Sequence, residues 1–141
     1  MITAIDTNIL IYAHREEAPH HQKAKRILTQ FAEGNDPWVL PWPCIYEFLR
    51  VVTHPKVFHP PTPTEIAWAA IENLLQSPMI LLLSEAERHP HILSDLVKAT
   101  SIKGNILHDA HIAALLIENG ILQILTADED FNRFSGLKVI D

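Results

Sequence analysis

The stretch that decides the fold is AIDTNIL, residues 4–10, in which a carboxylate ends an apolar run. The residues before the carboxylate, Met1–Ile5, are almost all apolar and predict a buried first strand. The chain turns polar at Asp6 and stays polar through Thr7 and Asn8. Asp and Asn are common in turns and at helix N-termini, which is one explanation of this pattern. The other explanation is a functional site, and that requires partners elsewhere in the chain.

The composition is that of an ordinary globular protein. The 141 residues are 48% hydrophobic and 20% charged, which favours a single domain over residues 1–141 and excludes a disordered chain. No apolar run reaches the length of a membrane span, and no basic and then apolar leader precedes the first strand. The single cysteine, Cys44, has no disulfide partner within the chain. We therefore expect a cytoplasmic protein that does not enter a membrane.

The net charge is acidic, at −6, and by itself does not indicate nucleic-acid binding, because phosphates are bound by Lys and Arg. If the excess carboxylates gather at one place, they require cations there. Basic residues that could then contact a substrate phosphate are spread along the chain: Arg15, Lys23, Lys25, Arg26, Arg50, Lys56 and Arg133.

Short apolar segments alternate with amphipathic segments and predict an α/β fold with a mainly parallel sheet. In such folds the functional crevice lies outside the carboxyl ends of the strands, where Asp6 is placed. The proline-rich stretch His54–Pro63 is predicted to be a surface loop. The later strands are predicted at Trp38–Leu40, Met79–Leu83, Ile121–Leu125 and Leu137–Ile140. Helices are predicted just after Asp6 and at His20–Glu33, Pro43–Thr53, Thr64–Gln76, Glu87–Ser101, Asn105–Asn119 and Asp128–Phe134. Thr64 and Asn105 are predicted to be N-caps, and Gly120 is predicted to be a left-handed C-terminal cap.

A second predicted strand also ends in acidic residues. In ILTADEDF, residues 124–131, the apolar run stops and Thr126, Asp128 and Asp130 follow at once. The carboxyl ends of parallel strands meet at one edge of the sheet, so we expect these residues to lie near Asp6.

Two further carboxylates lie in apolar helices. Asp109 is in the first turns of a helix that is otherwise largely Ile, Leu and Ala, and Glu47 is surrounded by apolar residues of the predicted helix Pro43–Thr53. Desolvating an unpaired carboxylate costs several kcal/mol, so such residues need either basic partners or a shared metal ion.

Each of these acids has a purely structural explanation when it is considered alone. Asp6 and Asp128 can cap helices, and Asp109 can favour a helix N-terminus. Glu47 can pair with Arg50, three positions along the same helix. Considered together they favour a shared site, because no Lys or Arg lies within four positions of any of the three aspartates. An all-oxygen cluster suits Mg²⁺ or Mn²⁺ better than zinc. Supporting hydrogen bonds to carboxylate or water are expected from three polar neighbours, Thr7, Asn8 and Thr126.

Four segments resemble the acidic motifs of the PIN-domain ribonucleases: DTNIL (6–10), the helix around Glu47, HDAHIAA (108–114) and TADEDF (126–131). Their order and spacing are similar to those of the VapC toxins of bacterial toxin–antitoxin pairs, over essentially the whole chain. The resemblance implies a three-layer α/β/α fold, a homodimer, an RNA substrate and a cognate antitoxin that blocks the site. It also implies a catalytic, metal-binding quartet of Asp6, Glu47, Asp109 and Asp128, with Asp130 as a fifth acid and Thr126 as a polar support.

The sequence thus predicts a ribonuclease that depends on Mg²⁺, with Mn²⁺ as a substitute. Metal-activated water would attack phosphorus and leave a 5′-phosphate and a 3′-hydroxyl. Its role would be that of the toxin of a toxin–antitoxin system.

Other functions are compatible with parts of the sequence. A catalytically silent PIN-like module could bind RNA or protein without cleaving it. An aspartyl-phosphate phosphatase also begins with a strand that ends in Asp, but it needs a second Asp where this chain has Asn8, and a lysine for which Lys98 and Lys103 are the candidates. A zinc hydrolase built on His108 and His111 lacks an evident third ligand, and Cys44 fits a core position better than a nucleophile.

Overall fold

The structure, a computed structural model, describes residues 2–99, 101–134 and 137–140 and has five parallel strands in one sheet. Helices cover both faces, which confirms the predicted three-layer α/β/α fold. The sheet was expected to be mainly parallel, and in the described residues it is parallel throughout. The parts of the predicted elements that fall on Met1 and Thr100 lie outside these residues.

The order of the elements follows the predicted alternation, and several are slightly shorter than predicted. The strands are β1 (Thr3–Ile5), β2 (Trp38–Pro41), β3 (Ile80–Leu83), β4 (Gln123–Leu125) and β5 (Lys138–Ile140). The helices are α1 (Thr7–His14), α2 (His21–Glu33), α3 (Trp42–Val52), α4 (Thr64–Leu75), α5 (His89–Ala99) and α6 (Ile106–Glu118), with a short 3-10 helix at Glu129–Arg133. None of the described helices is both long enough and apolar enough to cross a membrane.

The strand order β3-β2-β1-β4-β5 places the site at the centre of the sheet. The chain leaves β1 toward β2 on one side, whereas it leaves β4 toward β5 on the other. A crevice opens where the connections diverge in this way, outside the carboxyl ends of the two adjacent strands. Ile5 of β1 is in register with Leu125 of β4, so Asp6 and Thr126 emerge side by side. The backbone N–H of Asp6 donates to the carbonyl of Leu125 over 3.1 Å.

Strands β1 and β2 are wholly buried because helices cover both of their faces, as apolar runs in parallel sheets require. Strand β3 was also predicted to be buried, and that prediction is wrong in part. Leu81 is 43% exposed and Leu82 is 37% exposed. The reason is that β3 is an edge strand, and an apolar run does not by itself distinguish an edge strand from a central one.

The helix ends confirm some of the predicted caps and correct others. Gly120 has φ +73° and ends α6 in the left-handed conformation, as predicted. Thr64 is the first residue of α4 rather than its cap, and the preceding Pro63 holds the cap position. Asn105 does precede α6, but its side chain makes no capping hydrogen bond.

The proline-rich loop is held against the end of α1. The N–H of Thr62 donates to the carbonyl of Val52 over 2.8 Å, and the Thr62 side chain is buried. Its hydroxyl accepts a hydrogen bond from Arg15 Nη1 over 3.0 Å and lies 3.1 Å from His14 Nε2. These contacts give the loop a structural role, since they anchor its last part to α1.

Candidate active site

Asp6 is 5% exposed and is both the last residue before α1 and the N-cap of that helix. Its Oδ1 accepts hydrogen bonds from the Thr7 N–H over 2.7 Å and from the Cys44 thiol over 3.7 Å. Its Oδ2 accepts from the Thr126 hydroxyl over 2.7 Å and from Asn8 Nδ2 over 3.3 Å. The capping explanation of Asp6 is therefore correct, and it also holds the carboxylate in one orientation at the crevice.

Asn8 and Thr126 connect the end of β1 to the acidic loop after β4. Asn8 Nδ2 donates to Thr126 Oγ1 over 3.0 Å, and Asn8 Oδ1 accepts from the N–H of Ala127 over 3.2 Å. The Thr126 hydroxyl also accepts from the N–H of Asp128 over 3.0 Å, and Asp128 Oδ1 accepts from the N–H of Asp130 over 2.9 Å. The position of the Asp128 carboxylate therefore depends on hydrogen bonds that start at β1.

Three carboxylates from α6 and the β4 loop come together at this edge. Asp109, Asp128 and Asp130 each offer an oxygen atom within 4.8 Å of the other two. We call these three residues the acid cluster. Asp130 also contacts Arg133, with Oδ1 and Nη2 3.4 Å apart. A set of carboxylate oxygens at this spacing fits a hard divalent cation such as Mg²⁺ or Mn²⁺.

The electrostatics of the acid cluster show unbalanced negative charge. Burial, and then the neighbouring charges of Asp128, Asp6 and Asp130, together raise the pKa of Asp109 to about 7. Burial also raises the pKa of Asp6, although hydrogen bonds from Thr126 and Thr7 oppose the shift. Within the described part of the chain, Asp6, Asp109 and Asp128 make no ion pair with Lys or Arg. A bound divalent cation would supply the missing positive charge.

Glu47 lies outside the acid cluster. Its Oε1 is 2.6 Å from Arg50 Nη2, and its Oε2 accepts from Arg50 Nε over 3.3 Å, so the pair is bidentate. Both residues line a cavity of about 380 Å³ that His108 and Glu85 also border. The structure therefore shows Glu47 in the salt bridge with Arg50 that the sequence offered as the structural explanation of this residue.

Two residues near Asp6 were not predicted as its neighbours. Cys44 is fully buried, as expected of a core residue, and burial raises the pKa of its thiol well above the ordinary value, which argues against a nucleophile. His108 is close enough to Asp6 for its charge to lower the pKa of Asp6, and its Nε2 is buried without a hydrogen-bond partner among the described residues. Neither contact has a signal in the sequence, since both residues are far from Asp6 along the chain.

The phosphatase alternative is not favoured by these contacts. The four donors to Asp6 come from a backbone amide, a thiol, a hydroxyl and a side-chain amide, and none is a lysine. Lys98 and Lys103 are both exposed. With each oxygen held by two donors, Asp6 is poorly placed to act as a nucleophile.

A cleft of about 450 Å³ lies beside the acidic loop, between that loop and the helices α1 and α2. Asp128 and Glu129 line one wall, whereas His20 and Lys23 line another. Among the basic residues noted in the sequence, Lys23 is thus placed to contact a phosphate that approaches Asp128. Arg15, by contrast, is paired with Glu17 over 2.6 Å.

Comparisons with known proteins identify the family of the chain. Residues 3–137 match the family model of the PIN domain. The chain is 37% identical to VapC ribonuclease Mb2897 of Mycobacterium bovis over 134 residues, which is 95% of this chain and 90% of that protein.

Solved structures with similar folds include VapBC2 from Rickettsia felis bound to a DNA fragment from its promoter, with a TM-score of 0.70 and 17% identity over 99% of this chain and 98% of that one. They also include VapC20 of Mycobacterium tuberculosis, a toxin that cleaves the sarcin–ricin loop, with a TM-score of 0.67 and 18% identity over 96% of this chain and 98% of that one. At these identities the solved structures establish similarity of fold alone.

Proposed function

The chain belongs to the PIN domain family and, within it, to the VapC ribonucleases, and on that premise we propose that it is a metal-dependent ribonuclease and the toxin of a toxin–antitoxin pair. The observation that supports the proposal most directly is the acid cluster. Asp109, Asp128 and Asp130 place three oxygen ligands within 4.8 Å of one another, at the crevice of a parallel sheet. Two of the three have no cationic partner in the described residues.

The proposed catalytic and metal-binding residues are the predicted quartet of Asp6, Glu47, Asp109 and Asp128, with Asp130 beside them. Asp109 and Asp128 are the primary ligands in this assignment because they lie together and lack counter-charges. Asp6 supports them from the end of β1. Glu47 can bind the ion only after its carboxylate leaves Arg50, so we place it farthest from the ion among the four residues. The proposed ion is Mg²⁺, for which Mn²⁺ can substitute.

The chemistry that the site would perform is hydrolysis of a phosphodiester bond. A divalent cation at carboxylates lowers the pKa of a water molecule and offsets the charge that develops on a phosphoryl oxygen. The chain itself holds Asp6 and Asp128 in place through the Thr126 hydroxyl, so that little reorganisation is needed during the reaction. Lys23, on the opposite wall of the cleft, is placed to bind a neighbouring phosphate. With water as the nucleophile, the products carry a 5′-phosphate and a 3′-hydroxyl.

The proposal includes the partners that the family implies. They are an RNA substrate, a second copy of the chain in a homodimer and a cognate antitoxin that covers the site. In this proposal residues 1–141 act as one domain in the cytoplasm. The matched VapBC2 structure, solved with promoter DNA, is the kind of complex that we propose the chain forms with its antitoxin.

RNA cleavage by the purified chain, freed of any partner, tests the proposal. We expect cleavage with Mg²⁺ or Mn²⁺, none with EDTA, and none by Asp128→Asn in either metal. Glu129→Gln is the matched control, because Glu129 is an exposed acid beside Asp128 with no place in the acid cluster, and this variant should retain metal-dependent cleavage of RNA.

The ends of the products distinguish the mechanism. Products with a 5′-phosphate support attack by water. Products that end in a 2′,3′-cyclic phosphate would contradict it, because they require the 2′-hydroxyl of the RNA as the nucleophile. RNA that is bound but left intact under all metal conditions would support the silent binding module instead.

A further inference from the structure

A second group of ligand-type side chains lies where α5 packs against α6. His89 is the first residue of α5, His111 is on α6 and Glu85 is in the connection between β3 and α5. One ligand atom from each of the three lies within 4.8 Å of the others. The rings of His89 and His111 meet edge to face with their centroids 5.4 Å apart. Unlike the acid cluster, this group combines two imidazoles with one carboxylate.

A buried carboxylate orients His89 from behind. The Glu118 side chain is 0% exposed, and its Oε2 lies 3.0 Å from His89 Nδ1, while its Oε1 accepts from the N–H of Ala86 over 2.9 Å. A neutral His89 that donates its Nδ1–H to this carboxylate would keep its lone pair on Nε2. A carboxylate behind a histidine ring is the usual support of a metal-bound histidine, since it sets both the tautomer and the orientation of the ring.

The other two side chains already meet and remain able to move. His111 Nε2 and Glu85 Oε1 are 2.6 Å apart, as in a strong hydrogen bond. Ligands of a tetrahedral zinc ion, with bonds near 2 Å, lie about 3.3 Å apart. Glu85 is 51% exposed at its side chain, so this pair can open from 2.6 Å to that spacing by a shift of well under an ångström.

We propose that Glu85, His89 and His111 form a binding site for a single Zn²⁺ ion, separate from the acid cluster and with a different ion preference. Two imidazoles and a carboxylate are the ligand types that zinc prefers, whereas the acid cluster offers oxygen alone. Three protein ligands leave the fourth position of a tetrahedral ion for water. Glu85 and His111 border the cavity of about 380 Å³ that Glu47 also lines, and a bound ion would be reached by water from that side.

Zinc binding is expected to stabilise the packing of α5 against α6. The ion would join the segment before α5 to the middle of α6, the helix that carries Asp109. This link would add to the packing of the two helices and raise the melting temperature in proportion to zinc occupancy. The inference does not depend on ribonuclease activity, because it concerns binding and stability alone.

Zinc titration of the 141-residue chain, after treatment with EDTA and removal of the chelator, tests the site. The Asp128→Asn background disables the acid cluster and isolates the second site. We expect one equivalent of Zn²⁺ to bind to this variant and to raise its melting temperature. Adding Glu85→Gln or His89→Gln should weaken binding by about ten-fold or more. Glu85→Gln is the safer variant for folding, because the side chain is half exposed.

His91→Gln is the matched control. His91 lies on the same helix, its side chain is 77% exposed, and it contacts Asp95 rather than the proposed ligands. This variant should bind zinc as its parent does. Equal zinc affinity in the Glu85→Gln variant and its parent, or loss of zinc binding in Asp128→Asn alone, would overturn the proposal. Substitution of Co²⁺ for Zn²⁺ gives a second reading: visible absorption typical of four-coordinate cobalt supports the site, and a six-coordinate spectrum contradicts it.

Discussion

At the scale of single residues, Asp6 shows that a structural role and a functional role can coincide. The sequence offered capping and catalysis as alternatives, but the carboxylate caps α1 with one oxygen and accepts from Thr126 with the other. Capping fixes the carboxylate at the edge of the sheet. The same hydrogen bonds that stabilise the fold therefore position the charge that the proposed site requires.

Thr126 is the residue whose hydroxyl joins the two strand ends, and its loss should affect both stability and activity. It donates to Asp6 and accepts from Asn8 and from the N–H of Asp128. Thr126→Val keeps the shape but removes one hydrogen bond from each of these three groups, so we expect the free energy of unfolding to fall by about 1–3 kcal/mol. RNA cleavage should also fall. Denaturant unfolding and cleavage rates measure the two effects.

Thr126→Ser is the matched control for that variant, since it retains the hydroxyl and loses one methyl group. Most of the stability and cleavage should remain in the serine variant. Equal losses in Thr126→Ser and Thr126→Val would show that the methyl group, rather than the hydrogen bonds, matters at this position.

Asp109 should make the stability of the metal-free protein depend on pH. Its pKa is raised from 3.8 to about 7, so between those values the folded chain retains a proton that the unfolded chain has lost. The stabilisation from this proton is complete below the unfolded pKa and disappears as pH rises through about 7. In EDTA, the melting temperature should therefore fall between about pH 5 and about pH 8. Asp109→Asn should reduce this dependence, and an unchanged dependence in the variant would assign it to other groups.

At the scale of secondary-structure elements, two helices begin with carboxylates that affect stability in opposite directions. Asp6, at the N-terminus of α1, stabilises the fold, whereas Asp109, in the first turns of α6, destabilises the metal-free fold. Each carboxylate oxygen of Asp6 accepts hydrogen bonds from two donors. Asp6→Asn replaces one of these oxygens by an amino group, which cannot accept, so the free energy of unfolding should fall by about 1–3 kcal/mol. Asp109 instead faces other carboxylates, and Asp109→Asn removes repulsion. In EDTA and above about pH 7, where Asp109 is ionised, we expect Asp6→Asn to melt below wild type and Asp109→Asn to melt above it.

Thermal melts with Mn²⁺ complete this comparison. Wild type should gain stability from the ion by mass action, and Asp109→Asn should gain less because it has lost a ligand. If both variants melt below wild type in EDTA and wild type gains nothing from Mn²⁺, the proposed metal centre is wrong. A site that is strained without its ion and relieved by it is a common compromise between stability and function.

The prediction of elements from the sequence was strongest where hydrophobic periodicity was long. Helix α2 was placed well because apolar residues recur along it at helical spacing, and α6 was placed well because Gly120 marks its end. The environment of β3 was mispredicted, since an apolar run carries no information on which strands flank it. The predicted N-caps were also confirmed only in part. Thr64 and Asn105 are residue types that often cap helices, but Thr64 lies inside α4 and the Asn105 side chain accepts no hydrogen bond from a backbone N–H of α6.

At the scale of the whole molecule, Asp109 and Asp128, the two acids of the cluster without a cationic partner among the described residues, should govern the proposed antitoxin complex. Guanidinium groups pair with carboxylates in a bidentate way, so we expect the antitoxin to present an arginine to Asp109 and Asp128. Titration of the cognate antitoxin should stop RNA cleavage. Its affinity should fall as Mn²⁺ is raised, because the arginine and the ion compete for the same oxygens.

Binding measurements on variants check this competition. Asp128→Asn should weaken the antitoxin complex and remove most of its sensitivity to Mn²⁺, whereas Glu129→Gln should do neither. A cleavage rate that does not change with antitoxin would contradict blockade of the site. An affinity that does not change with Mn²⁺ would place the arginine elsewhere.

The sequence by itself determined the alternation of strands and helices and the positions of acids after two strands. Because parallel strands share one carboxyl-terminal edge, these local facts were enough to bring Asp6 and Asp128 together. The tertiary structure alone decided that Glu47 faces Arg50 rather than the acid cluster, and that His89 meets Glu118 across two helices. The physical reason is the distance along the chain over which the deciding interactions act. The ends of strands follow from the local pattern of apolar residues, whereas contacts between helices depend on how each helix rotates and packs on the sheet.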